Sequence, residues 1–82
     1  MGPALLAMAG TWICVLVPLN SAHRQNLVTY ATMRGLETND CGDWICILIP
    51  VGPMGAIDQL IIATYAEQNG LPVQMSDTPC PE

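Results

Sequence analysis

Residues 12–18 read WICVLVP and residues 44–50 read WICILIP, so the chain carries nearly the same apolar run twice. The triplet Thr-Tyr-Ala follows each run, at residues 29–31 and again at residues 64–66. This pattern predicts an internal duplication within one domain. We expect that domain to span residues 1–82, with repeat units at about 11–40 and 43–76, an apolar segment at 1–10 and a tail at 77–82.

Each apolar run predicts a strand that is buried on both faces, because short continuous runs of β-branched and aromatic residues suit that environment. A proline ends each run. After the first run, Asn20 or Ser21 can cap a helix that we expect from about residue 22 to residue 34. Gly35 supplies its left-handed end. The inner side of this helix is predicted to carry Leu27, Tyr30 and Ala31.

The second helix is predicted to open at Gly52-Pro53, because proline suits the first turn of a helix, and to end at Gly70. Its inner side is expected to carry Ile57, Leu60, Ile61 and Thr64.

More polar segments follow both helices, at 36–40 and 71–76, and we interpret them as edge strands because charge and proline favour sheet edges. Residues 40–43 read DCGD and predict a tight turn. The predicted fold is α+β, a ferredoxin-like split β-α-β with element order β-α-β-β-α-β and sheet order 4-1-3-2. The alternative is a parallel βαβα layout in which the two apolar strands are adjacent.

The composition limits the classes of partner. Hydrophobic residues make up 51% of the chain and charged residues only 11%. Two arginines, no lysine and seven acids give a net charge of −5, which rules out a cationic patch for nucleic acid or for an anionic membrane surface. Residues 1–22 carry no charged side chain, but they lack a basic start and are interrupted by Pro18. We therefore expect neither a signal peptide nor a membrane span.

Alternation along the two apolar strands predicts a second apolar face, turned away from the helices. Leaving several large side chains uncovered there would forgo several kcal/mol, comparable to the whole stability of a small domain. The segment 3–9 or a second molecule could cover this face. We expect a homodimer or higher homo-oligomer whose interface contains Trp12, Cys14, Leu16, Trp44, Cys46 and Leu48.

The four cysteines show no C-x-x-C spacing, so neither a metal site nor a cofactor is predicted. Cys14 and Cys46 are interpreted as buried thiols that lie near each other, since a bond between them needs one particular strand register. A bond between Cys41 and Cys80 is not expected, because the predicted fold places them at opposite ends of the sheet. Unpaired thiols favour a cytoplasmic location.

Few polar residues are candidates for function. His23 is the only histidine, the residue type whose charge changes near neutral pH. Its counterpart in the repeat is Asp58, counted back from Tyr30 and Tyr65. These four are the candidate ligand-binding residues. Alternatively, His23 and Asp58 are exposed residues at helix starts and the tyrosines pack within the helix layer.

The sequence therefore predicts a small homo-oligomeric binding or scaffolding module. A ligand or partner, which could be a small molecule, would bind near residues 19–23 and 51–58 at a dimer groove. One alternative is a small enzyme of the dimeric α+β-barrel type, with His23 and Tyr30 lining an internal apolar cavity. Another is a structural subunit of a larger assembly. No catalytic constellation is predicted.

Overall fold

A computed structural model describes residues 10–81, so the predicted apolar segment lies outside the described residues except for Gly10. The chain forms β1 (Thr11–Leu16), α1 (Ala22–Arg34), β2 (Thr38–Cys41), β3 (Trp44–Ile49), α2 (Pro53–Gln68) and β4 (Val73–Ser76). Neither of the helices in this range has the length and apolar character needed to cross a membrane.

The four strands form one antiparallel sheet in the order β2-β3-β1-β4. The predicted α+β class, with two helices and one four-stranded sheet, is confirmed. The parallel βαβα alternative is wrong, because β1 and β3 are antiparallel neighbours from Thr11 opposite Ile49 to Leu16 opposite Trp44.

Both helices pack on one face of the sheet. Alternate side chains of β1 and β3 point into this layer, as the period of a strand requires. They form a single buried cluster with Val17, just after β1, and with four residues of the helices. The cluster consists of Ile13, Val15, Val17, Leu27, Ala31, Ile45, Ile47, Ile49, Ile62 and Ala66. We call the other side of the sheet the open face.

The ends of α1 follow the sequence prediction. Ser21 is the N-cap, and its hydroxyl accepts a hydrogen bond of 3.1 Å from the His23 amide. Gly35 adopts a φ of 71°, which lets its amide bond back to the carbonyls of Ala31 and Thr32. Both predictions for this helix are confirmed. The start of α2 is also confirmed at Pro53, in the first turn, where its missing amide hydrogen has no partner to lose.

The side of α2 that faces the sheet differs from the prediction. The four residues expected on the inner side are exposed. The exposed fraction is 49% for Ile57, 66% for Leu60 and 44% for Ile61, and Thr64 is also exposed. The buried side carries Gly55, Asp58, Ile62 and Ala66.

Two contacts account for this rotation of α2. Gly55 approaches the end of β3 so closely that a Cβ there would overlap the carbonyl oxygen of Pro50. Asp58 is held inward by hydrogen bonds from α1. Because α2 is apolar on two sides, periodicity alone could not identify the inner one.

Cys14 and Cys46 lie directly opposite each other on β1 and β3, with their Cα atoms 4.0 Å apart, and form a disulfide on the open face. Both residues are fully buried. The prediction of two unpaired thiols is wrong, because the strands adopt the one register that brings the two sulfur atoms together.

The C-terminal tail crosses the open face. It starts from β4 at one edge of the sheet, yet Cys80 forms a disulfide with Cys41 of β2 at the opposite edge. The side-chain amide of Asn39 also donates to the Pro79 carbonyl at 2.9 Å. Asn39 lies opposite Cys46, and Cys41 lies opposite Trp44, so both anchors are on the open face. The expectation that Cys41 and Cys80 do not bond is wrong, because the tail turns back over the sheet.

Candidate functional site between the helices

Two tyrosine-centred groups of hydrogen bonds connect the helices. The tyrosine of each helix bonds to a polar residue in the first half of the other helix, Tyr30 to Asp58 and Tyr65 to His23. The start of α1 therefore lies beside the end of α2, and the end of α1 beside the start of α2. The four predicted ligand-binding residues are all in the helix layer, in two separate groups.

The first group surrounds a buried carboxylate. The Tyr30 hydroxyl donates to Asp58 Oδ1 at 2.6 Å, and Arg34 Nε donates to the same oxygen at 2.9 Å. The Asp58 side chain is 4% exposed, so the alternative of an exposed Asp58 is wrong.

This geometry shifts the titration of the group. The hydrogen bond from Tyr30 lowers the pKa of Asp58, and Arg34 acts in the same direction, while burial opposes them. Burial and the bond to Asp58 raise the pKa of Tyr30. Asp58 is therefore ionised and Tyr30 is neutral at pH 7. Their hydrogen bonds hold α1 against α2.

The second group is closer to solvent. His23 Nδ1 lies 2.7 Å from the Tyr65 hydroxyl, and Asn26 Nδ2 donates to the same hydroxyl at 3.0 Å. A phenol has one hydrogen, so all three side chains are satisfied if the Tyr65 oxygen accepts from Asn26 and donates to His23. The two rings meet edge to face, with centroids 5.7 Å apart. His23 and Tyr65 are half-buried.

An apolar cleft of about 80 Å³ lies between the helices, beside both groups. Its lining comes equally from the two helices and includes both tyrosines. The lining residues are Asn26, Leu27, Tyr30, Ile61, Ile62 and Tyr65. Two of the lining side chains, Tyr30 and Tyr65, belong to the two hydrogen-bond groups.

Beside this cleft the outer side of α2 is apolar and exposed. We call Met54, Ile57, Leu60 and Ile61 the α2 stripe. Ile61 belongs to both features, because it lines the cleft and is partly exposed. The cleft and the stripe are thus one continuous apolar surface on the helix layer.

Arg24 is an important residue that the sequence analysis did not single out. It is 6% exposed, and its guanidinium donates to the carbonyls of Val17 at 2.9 Å and Trp44 at 3.2 Å. It also pairs with the exposed Asp40 at 3.1 Å. Arg24 thereby joins the end of β1 to the start of β3. The sequence does contain a signal for this role. Arg24 lies three residues before Leu27 and therefore falls on the apolar side of the helix, where a charged residue is unusual.

The predicted turn regions border open depressions rather than enclosed pockets. One depression is lined by residues 19–21, 24, 25 and 28 beside Asp40, and another by residues 49–52 beside Gln59. None of the four predicted ligand-binding residues lines either depression, so these residues and the depressions at the turns do not form one site. Within residues 10–81, no group of histidine, cysteine and acidic side chains could hold a metal ion.

The six predicted interface residues share the open face, as their register requires. Cys14 and Cys46 are buried in their disulfide, whereas Trp12, Leu16, Trp44 and Leu48 are half-buried. Their role at an interface stays a prediction.

Comparisons of this chain with protein-family models, with curated proteins and with solved structures found no match.

Proposed function

We propose that this protein is a small binding module that holds an apolar side chain of a polypeptide partner in the cleft between α1 and α2. The observation that carries this proposal is the apolar cleft between Tyr30 and Tyr65, continuous with the exposed α2 stripe. Under this proposal the ligand binds on the helix layer rather than at the strand-to-helix turns.

The size of the cleft favours a polypeptide over a free small molecule. Pockets for drug-sized ligands usually measure roughly 300–1,000 Å³. The cleft of about 80 Å³ holds one aliphatic or aromatic side chain. Interfaces with proteins commonly place such an anchor in a pocket and surround it with apolar contacts. The α2 stripe supplies those contacts here.

The electrostatics favour a neutral or basic partner. The chain has a net charge of −5, which attracts cationic segments at long range. Both arginines lie in α1 and each is already paired, Arg24 with Asp40 and Arg34 with Asp58. An acidic segment would therefore meet no available cation at this surface.

Peptide titration can test this proposal. The probes are short peptides in which one Leu, Phe or Trp stands among lysine and alanine residues, and the readout is backbone amide shifts of the labelled protein. We expect shifts at the cleft residues on both helices. Ile61→Glu should weaken binding at least tenfold, because it brings a charge into the lining.

Met33→Glu is the matched control, because Met33 is 79% exposed on α1 and does not line the cleft. Equal effects of the two substitutions would contradict the proposal. Shifts confined to the open face or to the turns would also contradict it.

Self-association is the second part of the proposal. Apolar patches on small proteins commonly mark interfaces, and many large hydrophobic side chains of the single chain are exposed. They are Leu19, Met33, Val51, Met54, Ile57, Leu60, Ile61, Val73 and Met75. Sedimentation equilibrium at micromolar concentration tests this, and a strict monomer in every redox state would contradict it.

The fold is proposed to be a ferredoxin-like split β-α-β that arose by internal duplication. The strand order β2-β3-β1-β4 supports this reading. The repeated apolar runs also pair with each other as β1 and β3. The bonds of Tyr30 to Asp58 and of Tyr65 to His23 are related in the same reciprocal way.

A cytoplasmic location stays a prediction. It was expected from unpaired thiols, but the four cysteines are paired in two disulfides. Two disulfides count against a strongly reducing compartment. Disulfide mapping of the protein from its native cells would decide the point.

The enzyme alternative has less support. His23 and Tyr30 belong to different hydrogen-bond groups, and the cleft between the helices is lined by Tyr30 but not by His23. The separation of these two side chains favours the binding function over an enzyme that uses both.

A further inference from the structure

We propose that the open face of the sheet is a docking surface for a second copy of this chain, and that the tail at 77–81 occupies it while Cys41 and Cys80 are bonded. This inference deepens the proposed function and relies on its self-association part.

The topology shows what the tail covers. It leaves β4 at one edge of the sheet and is bonded to β2 at the other edge, so it must pass over β1 and β3. The Asn39 amide holds the Pro79 carbonyl at 2.9 Å, and the Ser76 hydroxyl donates to the Cys80 carbonyl at 3.4 Å. The tail is thus a strap across the open face, fastened at both edges.

The surface beneath the strap suits a second copy. Trp12 lies opposite Leu48, and Leu16 lies opposite Trp44, on either side of the Cys14–Cys46 pair. This arrangement is nearly two-fold symmetric, so a tryptophan of one copy can pack against a leucine of the other.

Charge supports the same occupant. All strand positions on the open face are uncharged: Trp12, Cys14, Leu16, Asn39, Cys41, Trp44, Cys46, Leu48, Gln74 and Ser76. Two copies, each with a net charge of −5, can therefore meet at this face without placing like charges in contact.

The two disulfides differ in access to a reductant. Cys14 and Cys46 are fully buried, whereas Cys41 is half-buried and Cys80 is exposed. Thiol–disulfide exchange needs an attacking thiolate to reach a sulfur atom. The strap disulfide should therefore react first.

The step uses a dithiol reductant. One of its thiolates attacks the Cys41–Cys80 bond and forms a mixed disulfide, and its second thiol displaces the protein sulfur. The reductant leaves as its own disulfide, and Cys41 and Cys80 each gain a proton. Two electrons and two protons pass to the protein, and the strap is released.

The test titrates the oxidised chain with dithiothreitol and follows two readouts. Differential alkylation with peptide mass mapping should show Cys41 and Cys80 labelled before Cys14 and Cys46. Sedimentation equilibrium at micromolar concentration should show the mass doubling over the same range of reductant. Reduction of the buried pair first, or a folded chain that stays monomeric with its strap open, would overturn the inference.

Cys80→Ser opens the strap without reductant, and it should be dimeric under oxidising conditions with an unchanged circular dichroism spectrum. Adding Trp44→Glu should return this variant to a monomer, whereas adding Ile61→Glu should leave it dimeric. The opposite result would assign the dimer to the helix layer and overturn the inference. The peptide titration reports on the cleft separately, so the two proposals can fail independently.

Discussion

The hydroxyl of Tyr30 in α1 donates a hydrogen bond of 2.6 Å to the buried carboxylate of Asp58 in α2. This contact turns a polar residue of α2 towards the interior and leaves an apolar stripe of the same helix exposed. The orientation of α2, and with it the proposed binding surface, therefore depends on this carboxylate and its two donors from α1, together with the close approach of Gly55 to Pro50.

Asp58→Asn should destabilise the protein. The substitution removes the charge that accepts from Tyr30 and Arg34, and hydrogen bonds to charged groups contribute about 1.5–3 kcal/mol each. We expect a loss of about 2–4 kcal/mol in the free energy of unfolding, measured by urea denaturation. Tyr30→Phe should lose less, and the double variant should lose less than the sum. Additive losses would show that the two side chains are not coupled.

Acid should weaken the protein partly through the same residue. The pKa of Asp58 is lower in the folded chain than its ordinary value of 3.8, so the unfolded chain takes up this proton first as the pH falls. The stability contributed by Asp58 is complete above about pH 5 and is lost as the pH falls through the folded pKa. In denaturation experiments between pH 2 and 7, the free energy of unfolding should fall less steeply with decreasing pH in Asp58→Asn than in the unchanged protein. An unchanged slope would place the acid sensitivity elsewhere.

Gly55→Ala should be destabilising even though alanine is the better helix former. A Cβ at this position would overlap the carbonyl oxygen of Pro50, so α2 must move away from β3. We expect a loss of about 1–3 kcal/mol, typical of overpacking, from thermal or urea unfolding. Thr64→Ala, exposed on the same helix, is the control and should change stability by less than about 0.5 kcal/mol. A stabilised Gly55→Ala protein would contradict the close approach.

Arg24→Leu should destabilise the protein more than a substitution at an exposed position of the same helix. It removes the donors to the carbonyls of Val17 and Trp44, and these bonds join two strand ends. We expect a loss of about 2–4 kcal/mol in unfolding free energy, with Arg24→Lys intermediate because lysine lacks the planar fork. Gln25→Leu, at the exposed neighbouring position, is the control. Equal stability of Arg24→Leu and Gln25→Leu would contradict this role.

Local rules determined much of the architecture from the sequence. The apolar runs at 12–18 and 44–50 mark the two central strands, because only the middle of a sheet can bury such continuous runs. The Ser21 cap, the Gly35 stop and Pro53 in the first turn of α2 also act within a few residues, and the structure confirms all three. The alternation of side chains along β1 and β3 also predicted correctly which of them face the helices and which lie on the open face.

Contacts between distant residues were decided only by the tertiary structure. The rotation of α2 depends on the fit of Gly55 against Pro50 and on the bonds from α1 to Asp58, none of which leaves a periodic signal. The bond between Cys41 and Cys80 depends on the path of a short tail across the sheet, which strand order alone does not specify. The sequence by itself determined which segments form strands and helices, because propensity, capping and burial pattern are local. Which side of α2 faces solvent, and what covers the open face, depend on packing between segments far apart in the chain.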